Sequence, residues 1–377
     1  MAEATQRDGP PRSWSDIPWD LAGRVLRLLP AYVDRARFAA VCPQWRRAAR
    51  QLLLPPPLPL LAVPDGSFYS VPYGKPFRFP GFGCADFKAA ACGSWLVFPR
   101  DDGCFVVDPF AGATVELPSL SRIRLRPSNA ASNPDIGSPY ITWGLPPGDG
   151  PICQILMCQP GASSWSVRAY DACRPYEDMA FYHGKLYTLV TGDESLLVVN
   201  ISQDPGTGDP QVARIGQVIN GDPDPSFEAW LPPNTMHMKK LYLVESCGAR
   251  LMIRRKVCCR LVDGVTVAGR TIEFQVLEAD WEHSRWVKVA TLGDDLMLFL
   301  GWSCSKVVRA SQYGMSDDQI FFLDDVFEND EDNKYNIEGD TSVSVYDMRT
   351  GEISSPSPMV WKRKMVLATW LFPFGLK

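Results

Sequence analysis

GSWLVFPRDDGCFVVDPFAGATVELPSL, residues 93–120, decides the fold of most of this 377-residue chain. It holds three short apolar runs, Trp95–Phe98, Cys104–Asp108 and Thr114–Leu117, rich in Val and aromatic residues and too short for helices. Asp101-Asp102-Gly103 separates the first two runs and a Gly-containing turn follows Asp108, so the spacing predicts an antiparallel meander.

The same texture continues outward from about residue 60 to the end of the sequence. Further candidate strands are Gln154–Cys158, Trp165–Tyr170, Met179–Tyr182, Lys185–Val190, Leu196–Asn200, Leu241–Val244, Arg250–Arg254 and Ile272–Leu277. Trp286–Leu292, Leu296–Leu300, Lys306–Ala310, Gln319–Leu323 and Val343–Tyr346 follow. His183-Gly184 and Cys247-Gly248 read as hairpin turns.

A strand ending in Asp or Asn, then a Gly turn and a second strand, recurs in VVDPFAGATVEL (106–117), in VYDMRTGEI (345–353) and, more briefly, in VVNISQDPG (198–206). Asp108 and Asn200 stand about two periods of the ~40–50 residues expected for a propeller blade apart. The chain beyond the N-terminal segment therefore accommodates a Kelch-like β-propeller of about six or seven four-stranded blades, with a pair of β-sandwiches as the alternative. The apolar run Met365–Phe372 is predicted to be a buried strand in the same blade as residues 58–71. It would close the ring and remove an open edge, the alternative being a short helix packed on the side.

Ahead of the β region, WSDIPWDLAGRVLRLLPAYVDRARFAAVCPQWRRAAR, residues 14–50, reads as three short helices. Asp16 is placed to cap the first, with Pro18 in its opening turn and Leu21, Val25, Leu28 and Leu29 at helical spacing; Pro30 ends it. The second runs from about Val33 to Val41, with Val33, Ala36, Ala40 and Val41 near one stripe, and Pro43 opens a third that carries Trp45, Ala48, Ala49 and Leu52. Three such helices bury too little surface to stand alone, which implies a partner. LLLPPPLPLLAVP, residues 52–64, reads as a semi-rigid polyproline-like connection, giving a division into 14–50, a Pro-rich linker 51–64 and a β domain 65–377.

The helical stretch resembles an F-box. Ile17-Pro18, Asp20-Leu21, Val25-Leu26, Leu28-Leu29-Pro30, Asp34-Arg35, Phe38, Val41-Cys42 and Trp45-Arg46 match that pattern, although Gly23 inside the first helix costs about 1 kcal/mol relative to Ala. Pro43-Gln44 stand where the family often has basic residues. The β region resembles the plant KIB-type β-propeller that accompanies an F-box. The resemblance rests on residues 93–120, on YHGKLYTL (182–189), on YLVESCGARLMIRR (242–255) and on 274–325 with 345–353. The resemblance implies a non-catalytic substrate receptor of an SCF-type cullin ubiquitin ligase. Ile17, Pro18, Leu21, Val25, Leu29, Pro30, Val41, Cys42 and Trp45 would then hold an SKP-type adaptor, and through it a cullin, while the propeller holds a target protein that the sequence does not name. The rival reading is a propeller enzyme or small-molecule-binding protein with a helical cap.

A net charge of −5 and a pI near 5.4 argue against a nucleic-acid partner. The longest apolar stretch, Leu52–Val63, is broken by four prolines and predicts no membrane helix. Eleven cysteines, an odd number without a CxxC pair, and a polar N-terminal segment predict a reducing, intracellular setting, cytoplasmic or nuclear. No cofactor or metal is expected: Cys153 with Cys158, and the vicinal Cys258-Cys259, lack ligand spacing, and no HExxH, GxSxG or GxxxxGK motif occurs. His183 reads as a turn residue, with His237 and His283 in loops. The acidic segment 324–340 reads as a solvated insertion, and Trp143 and Trp230 as loop residues available for a protein partner.

Overall fold

The computed structural model describes residues 15, 17–63, 65–71, 76–82, 91–100, 103–119, 141–145, 153–158, 164–170, 176–206, 210–223, 235–262, 265–301, 304–323, 340–355, 360–362 and 368–373. Three helices come first: α1 (Trp19–Arg27), α2 (Tyr32–Val41) and α3 (Pro43–Gln51). Among the described residues the regular structure that follows is β, with a 3-10 turn at Ala310–Tyr313.

The described strands fall into six sheets. The first contains β1 (Leu60–Val63), β2 (Ser67–Ser70) and β3 (Pro76–Phe77). The second holds β4 (Ala91–Cys92), β5 (Trp95–Arg100), β6 (Gly103–Asp108) and β7 (Ala113–Glu116), and the third β8 (Ile141–Leu145), β9 (Cys153–Cys158) and β10 (Ser166–Tyr170). The fourth is built from β11 (Tyr176–Tyr182), β12 (Lys185–Val190), β13 (Leu196–Gln203) and β14 (Pro210–Ile219), the fifth from β15 (Thr235–Ser246), β16 (Ala249–Val262), β17 (Val265–Asp280) and β18 (Arg285–Val289). The sixth comprises β19 (Leu296–Leu300), β20 (Lys306–Arg309), β21 (Gln319–Leu323), β22 (Asp340–Asp347), β23 (Ile353–Ser354) and β24 (Val360–Lys362). Finally β25 (Thr369–Leu371) returns to the first sheet, in the order β25-β1-β2-β3.

Strands at one end of the sheets touch their counterparts next door, β25 with β4, β11 with β15 and β15 with β20, as blades do around an axis. The fold is mainly β, a propeller preceded by three helices. Five of the sheets are regular antiparallel blades. The sixth is mixed, because β19 lies parallel to β21, so the expected six or seven uniform blades become five regular ones and an irregular sheet among the described residues. The parallel pair exists because β20 and the 3-10 turn carry the chain back to the start of the sheet. Asp318 pins that return, its N–H donating to Leu296 O at 2.7 Å and its Oδ1 accepting from Leu292 N at 2.9 Å.

Closure follows the sequence expectation. β25 pairs antiparallel with β1, Leu60 opposite Leu371 and Leu61 opposite Trp370, while residues 365–367 of the same apolar run lie outside the described set. Leu60, Leu61, Phe68, Phe299 and Trp370 share one buried cluster, so the first and last strands pack against β19 of the irregular sheet. β1 lies inside the stretch read as linker. The prolines at 55–57 and 59 enforce extended chain, but Leu60–Val63 carry free N–H donors and pair as soon as the prolines end.

The repeat motif has a local cause. Asp108 Oδ1 accepts from Phe110 N at 2.8 Å and Ala111 N at 3.2 Å, and Asp347 Oδ1 from Arg349 N at 2.8 Å and Thr350 N at 3.1 Å, so each caps the turn after its strand. Asn200 does not. It sits within β13, and Asp204, accepting from Gly206 N at 2.9 Å, takes the turn position instead.

The largest departure from the sequence reading is the fifth blade. Its strands run 12, 14 and 16 residues, far past the predicted Leu241–Val244, Arg250–Arg254 and Ile272–Leu277. Lys239-Lys240 and Arg254-Arg255-Lys256 look like strand ends in sequence. In the fold Lys239 and Arg254 pair with Glu194, and Met236 opposite Cys259 and Met238 opposite Val257 extend the apolar packing beyond them. His237 consequently lies in β15 rather than in a loop, and Trp143 lies in β8; Trp230 and residues 324–339 are outside the described residues.

Candidate functional site

The helices bury one stripe and expose another. Ala22 and Leu26 of α1, Phe38 of α2 and Ala48 and Ala49 of α3 form the buried cluster, with Ile17, Leu29, Trp45 and Leu52 packed at its margin. Gly23 is buried because the helices cross closely: a Cβ there would stand 3.1 Å from Leu52 Cδ1. The expected stripe on α2 is wrong, since Arg35 and Phe38 point inward while Ala40 and Val41 are exposed. Pro18 itself takes the N-cap of α1, no side chain caps that helix, and Asp16 lies outside the described residues.

On the outer face of α1, Leu21 is 45% exposed, Val25 42% and Leu28 80%, at the i, i+4, i+7 spacing of one stripe. Exposed Pro18 continues it by one turn, and Val41 at the end of α2 is also exposed. These three large apolar side chains stand in water on one helix face, outside the core. The remaining residues expected to bind a partner hold the module together. Cys42 is the N-cap of α3, its Sγ accepting from Trp45 N at 3.4 Å, and Trp45 stacks on Phe38 with ring centroids 4.4 Å apart. Ile17 O accepts from Gln44 Nε2 at 3.1 Å, Leu29 packs against the core from its margin, and Pro30 O accepts from Leu58 N at 2.9 Å.

That last bond belongs to a junction the sequence reading missed. Arg35 is 2% exposed, its Nε donating to Leu29 O at 2.7 Å and its Nη1 to Pro55 O at 2.5 Å. Burial pulls the guanidinium below its ordinary pKa, and the Tyr313 phenol opposes this. Tyr313 Oη in turn donates to Pro56 O at 2.7 Å, and Tyr32 of α2 packs on Phe79 and Phe110. The proline segment is thus clamped from both sides, and its missing N–H groups are an advantage where only carbonyls are used. The available signal was an arginine three residues before Phe38, on the helix face turned inward.

Among the described residues of the propeller, a cluster of charge lies buried between the fourth and fifth blades. Glu194, fully buried and at φ 62°, accepts from Lys239 Nζ at 2.5 Å and from Arg254 Nε at 2.8 Å. Trp286 Nε1 donates to Glu194 O at 2.8 Å, and Arg254 also reaches Gln275 Oε1 and Asp222 O. The Glu194 carboxylate and carbonyl, both bonded to residues of the fifth blade, tie the fourth blade to it, which is structural chemistry.

The three histidines sit on separate elements, His237 in β15 and the other two in turns. His183 at φ 45° occupies the β11–β12 turn, and His283, on the β17–β18 turn, bonds Asp280 Oδ2 through Nδ1 at 2.8 Å. Among the described residues no three His, Cys, Asp or Glu side chains are grouped to hold a metal ion. Cys42, Cys104, Cys158, Cys247, Cys258, Cys259 and Cys304 are free thiols. Burial pushes Cys104 and Cys158 up to about 12 and Cys259 to about 11, so these three stay protonated near neutral pH. In native protein at about pH 8, a chromogenic disulfide reagent is expected to label exposed Cys247 at once. Cys104, Cys158 and Cys259 should react only after denaturation, with mass spectrometry assigning each site; fast native labelling of any of the three would contradict their burial.

The sequence matches the KIB1-4 beta-propeller family over residues 62–347. Three Arabidopsis thaliana proteins that carry "F-box protein" in their names are similar to it. The first is 21% identical over 91% of this chain and 90% of that protein, the second 29% identical over 34% and 38%, the third 33% identical over 22% and 25%. Similarity to solved structures is low: Kluyveromyces lactis Hsv2 aligns over 78% of this chain and 92% of its own with 10% identity and a TM-score of 0.28.

Proposed function

This chain belongs to the KIB1-4 beta-propeller family of plant F-box proteins, and from that premise we propose that it is the substrate-recognition subunit of an SCF-type cullin ubiquitin ligase. Residues 14–50 bind an SKP-type adaptor and through it a cullin, and the Kelch-like propeller captures a target protein within the cytoplasm or nucleus. The chain itself is not the catalyst. It contributes proximity, since a target held at a defined distance from a charged conjugating enzyme reacts as if intramolecularly.

The observation that supports this reading is the exposed stripe Leu21, Val25 and Leu28. Fully burying such side chains in a partner contributes roughly 1.5–3 kcal/mol each before the costs of association. Leu21→Asp places a carboxylate in that interface while leaving the inward face of α1 intact. The variant should keep its circular dichroism spectrum and bind a purified SKP-type adaptor about thirtyfold more weakly or worse, the loss expected for a hot-spot residue. Unchanged adaptor affinity in a folded Leu21→Asp protein would remove the assignment.

A further inference from the structure

Building on the reading that the helices dock on an adaptor, we infer that the surface receiving the α1 stripe is an apolar groove rimmed by aspartate and glutamate carboxylates. Arginines of the helix module steer it into place.

Residues 1–51 contain nine arginines, five acidic residues and no lysine, a net charge of +4. The whole chain stands at −5, so residues 52–377 carry −9 together with all twelve lysines. Arg is enriched and Lys depleted where proteins meet, and the guanidinium fork matches a carboxylate with two parallel hydrogen bonds.

In the fold this excess faces water. Arg35 is buried in the junction with the propeller, and Arg37 pairs with Asp34 at 3.7 Å. Arg24, Arg27, Arg46, Arg47 and Arg50 are exposed, and among the described residues none of them has a carboxylate within 4.0 Å. Asp20, exposed in the first turn of α1, is the remaining acid of the described helices and offsets one of the five.

Arg24 follows Leu21 by three positions and precedes Leu28 by four, so it borders the apolar stripe, and Arg27 stands one turn beyond it. Both also lie in the last turn of α1, where positive charge suits the helix dipole. That role affects helix stability and leaves association rates alone. A nucleic acid offers no seat for Leu21, Val25 and Leu28, and a lipid surface would be held by one nine-residue helix. A folded acidic groove answers both the stripe and the charge.

The test uses the full chain and a purified SKP-type adaptor, with association and dissociation rates followed by surface plasmon resonance at ionic strengths of about 0.05 M and 0.5 M. Wild-type association is expected to slow about tenfold or more at the higher salt. Arg24→Gln/Arg27→Gln should associate about fivefold more slowly than wild type at the lower salt, with a shallower salt dependence and an unchanged circular dichroism spectrum. Lys185→Ala/Lys288→Ala, which removes two exposed cations of the propeller, should match the wild type. Adaptor binding whose association rate is indifferent to salt, or the same in Arg24→Gln/Arg27→Gln as in wild type, overturns this inference and leaves the proposed function standing. No adaptor binding overturns both, and capture by phosphatidylserine vesicles in its place would assign the arginines to a lipid surface.

Discussion

A chain ending at Ala368 is expected to lose the cooperative fold of its β region and to aggregate. The missing residues include β25, whose ladder covers the edge of β1 through the pairs Leu60–Leu371, Leu61–Trp370 and Ala62–Thr369. They also include Trp370 and Leu371, both fully buried, and Phe372. Trp370 donates from Nε1 to Leu300 O at 3.0 Å, meets Phe299 edge-on at 5.2 Å, and lies so close over Gly301 that a Cβ there would be 2.8 Å from its ring. Three side chains worth roughly 1.5–3 kcal/mol each approach the ~5–15 kcal/mol total stability of an ordinary domain, before the exposed edge is counted. The milder Trp370→Ala should cost about 3–5 kcal/mol and leave Leu300 O without its donor. Urea unfolding followed by circular dichroism, with light scattering for aggregation, measures both. A truncated chain that unfolds at the same urea concentration as the full chain would show that the ring does not depend on this strand.

Glu194→Gln should destabilise the protein by about 3–5 kcal/mol, because it leaves Lys239 and Arg254 beside a neutral amide in a buried site. The side chain keeps its shape, so packing is not the cause. In the double variant Glu194→Gln/Arg254→Met the guanidinium is gone as well, and the loss should be smaller than the sum of the single losses. That coupling separates an unpaired-charge penalty from a general defect of the turn. Additive losses in the urea midpoints would place the energetic role of Glu194 in its backbone, at φ 62° and bonded to Trp286, rather than in its carboxylate.

What the sequence discloses, and what it hides, follows from what each residue must satisfy. Leu296–Leu300 and Gln319–Leu323 are read end to end because apolar runs bounded by Asp and Gly have one sensible outcome. The same logic truncates β15, β16 and β17, where lysines and arginines look like ends until partners such as Glu194, distant in sequence, are brought to them. The parallel β19–β21 pair is invisible for a similar reason: both strands look like neighbours in a meander, and only the long-range bonds of Asp318 set the return path. In the helices, prolines mark the breaks well. Periodicity detects apolar residues at Leu21, Val25, Leu28 and Leu29, yet it cannot say which of them meet the chain's own core; Ala22 and Leu26 took the core with Leu29 at its margin, and the other three stay exposed. Arg35 escapes because a buried cation reads as surface until the carbonyls of Leu29 and Pro55 converge on it.

The pairing of Leu60 with Leu371 also sets a clock during synthesis. The two residues are 371 − 60 = 311 positions apart, and at ~5–20 residues per second a ribosome needs roughly 15–60 s to add the second after the first. Throughout that interval β1 waits with one edge open, whereas α1, α2 and α3 precede it and emerge complete. Nascent chains of this protein thus present their helices well before their ring exists. The waiting strand is bracketed by Pro59 and Pro64, neither of which can donate a backbone hydrogen bond, so a neighbouring nascent chain that tries to pair with it is limited to four residues.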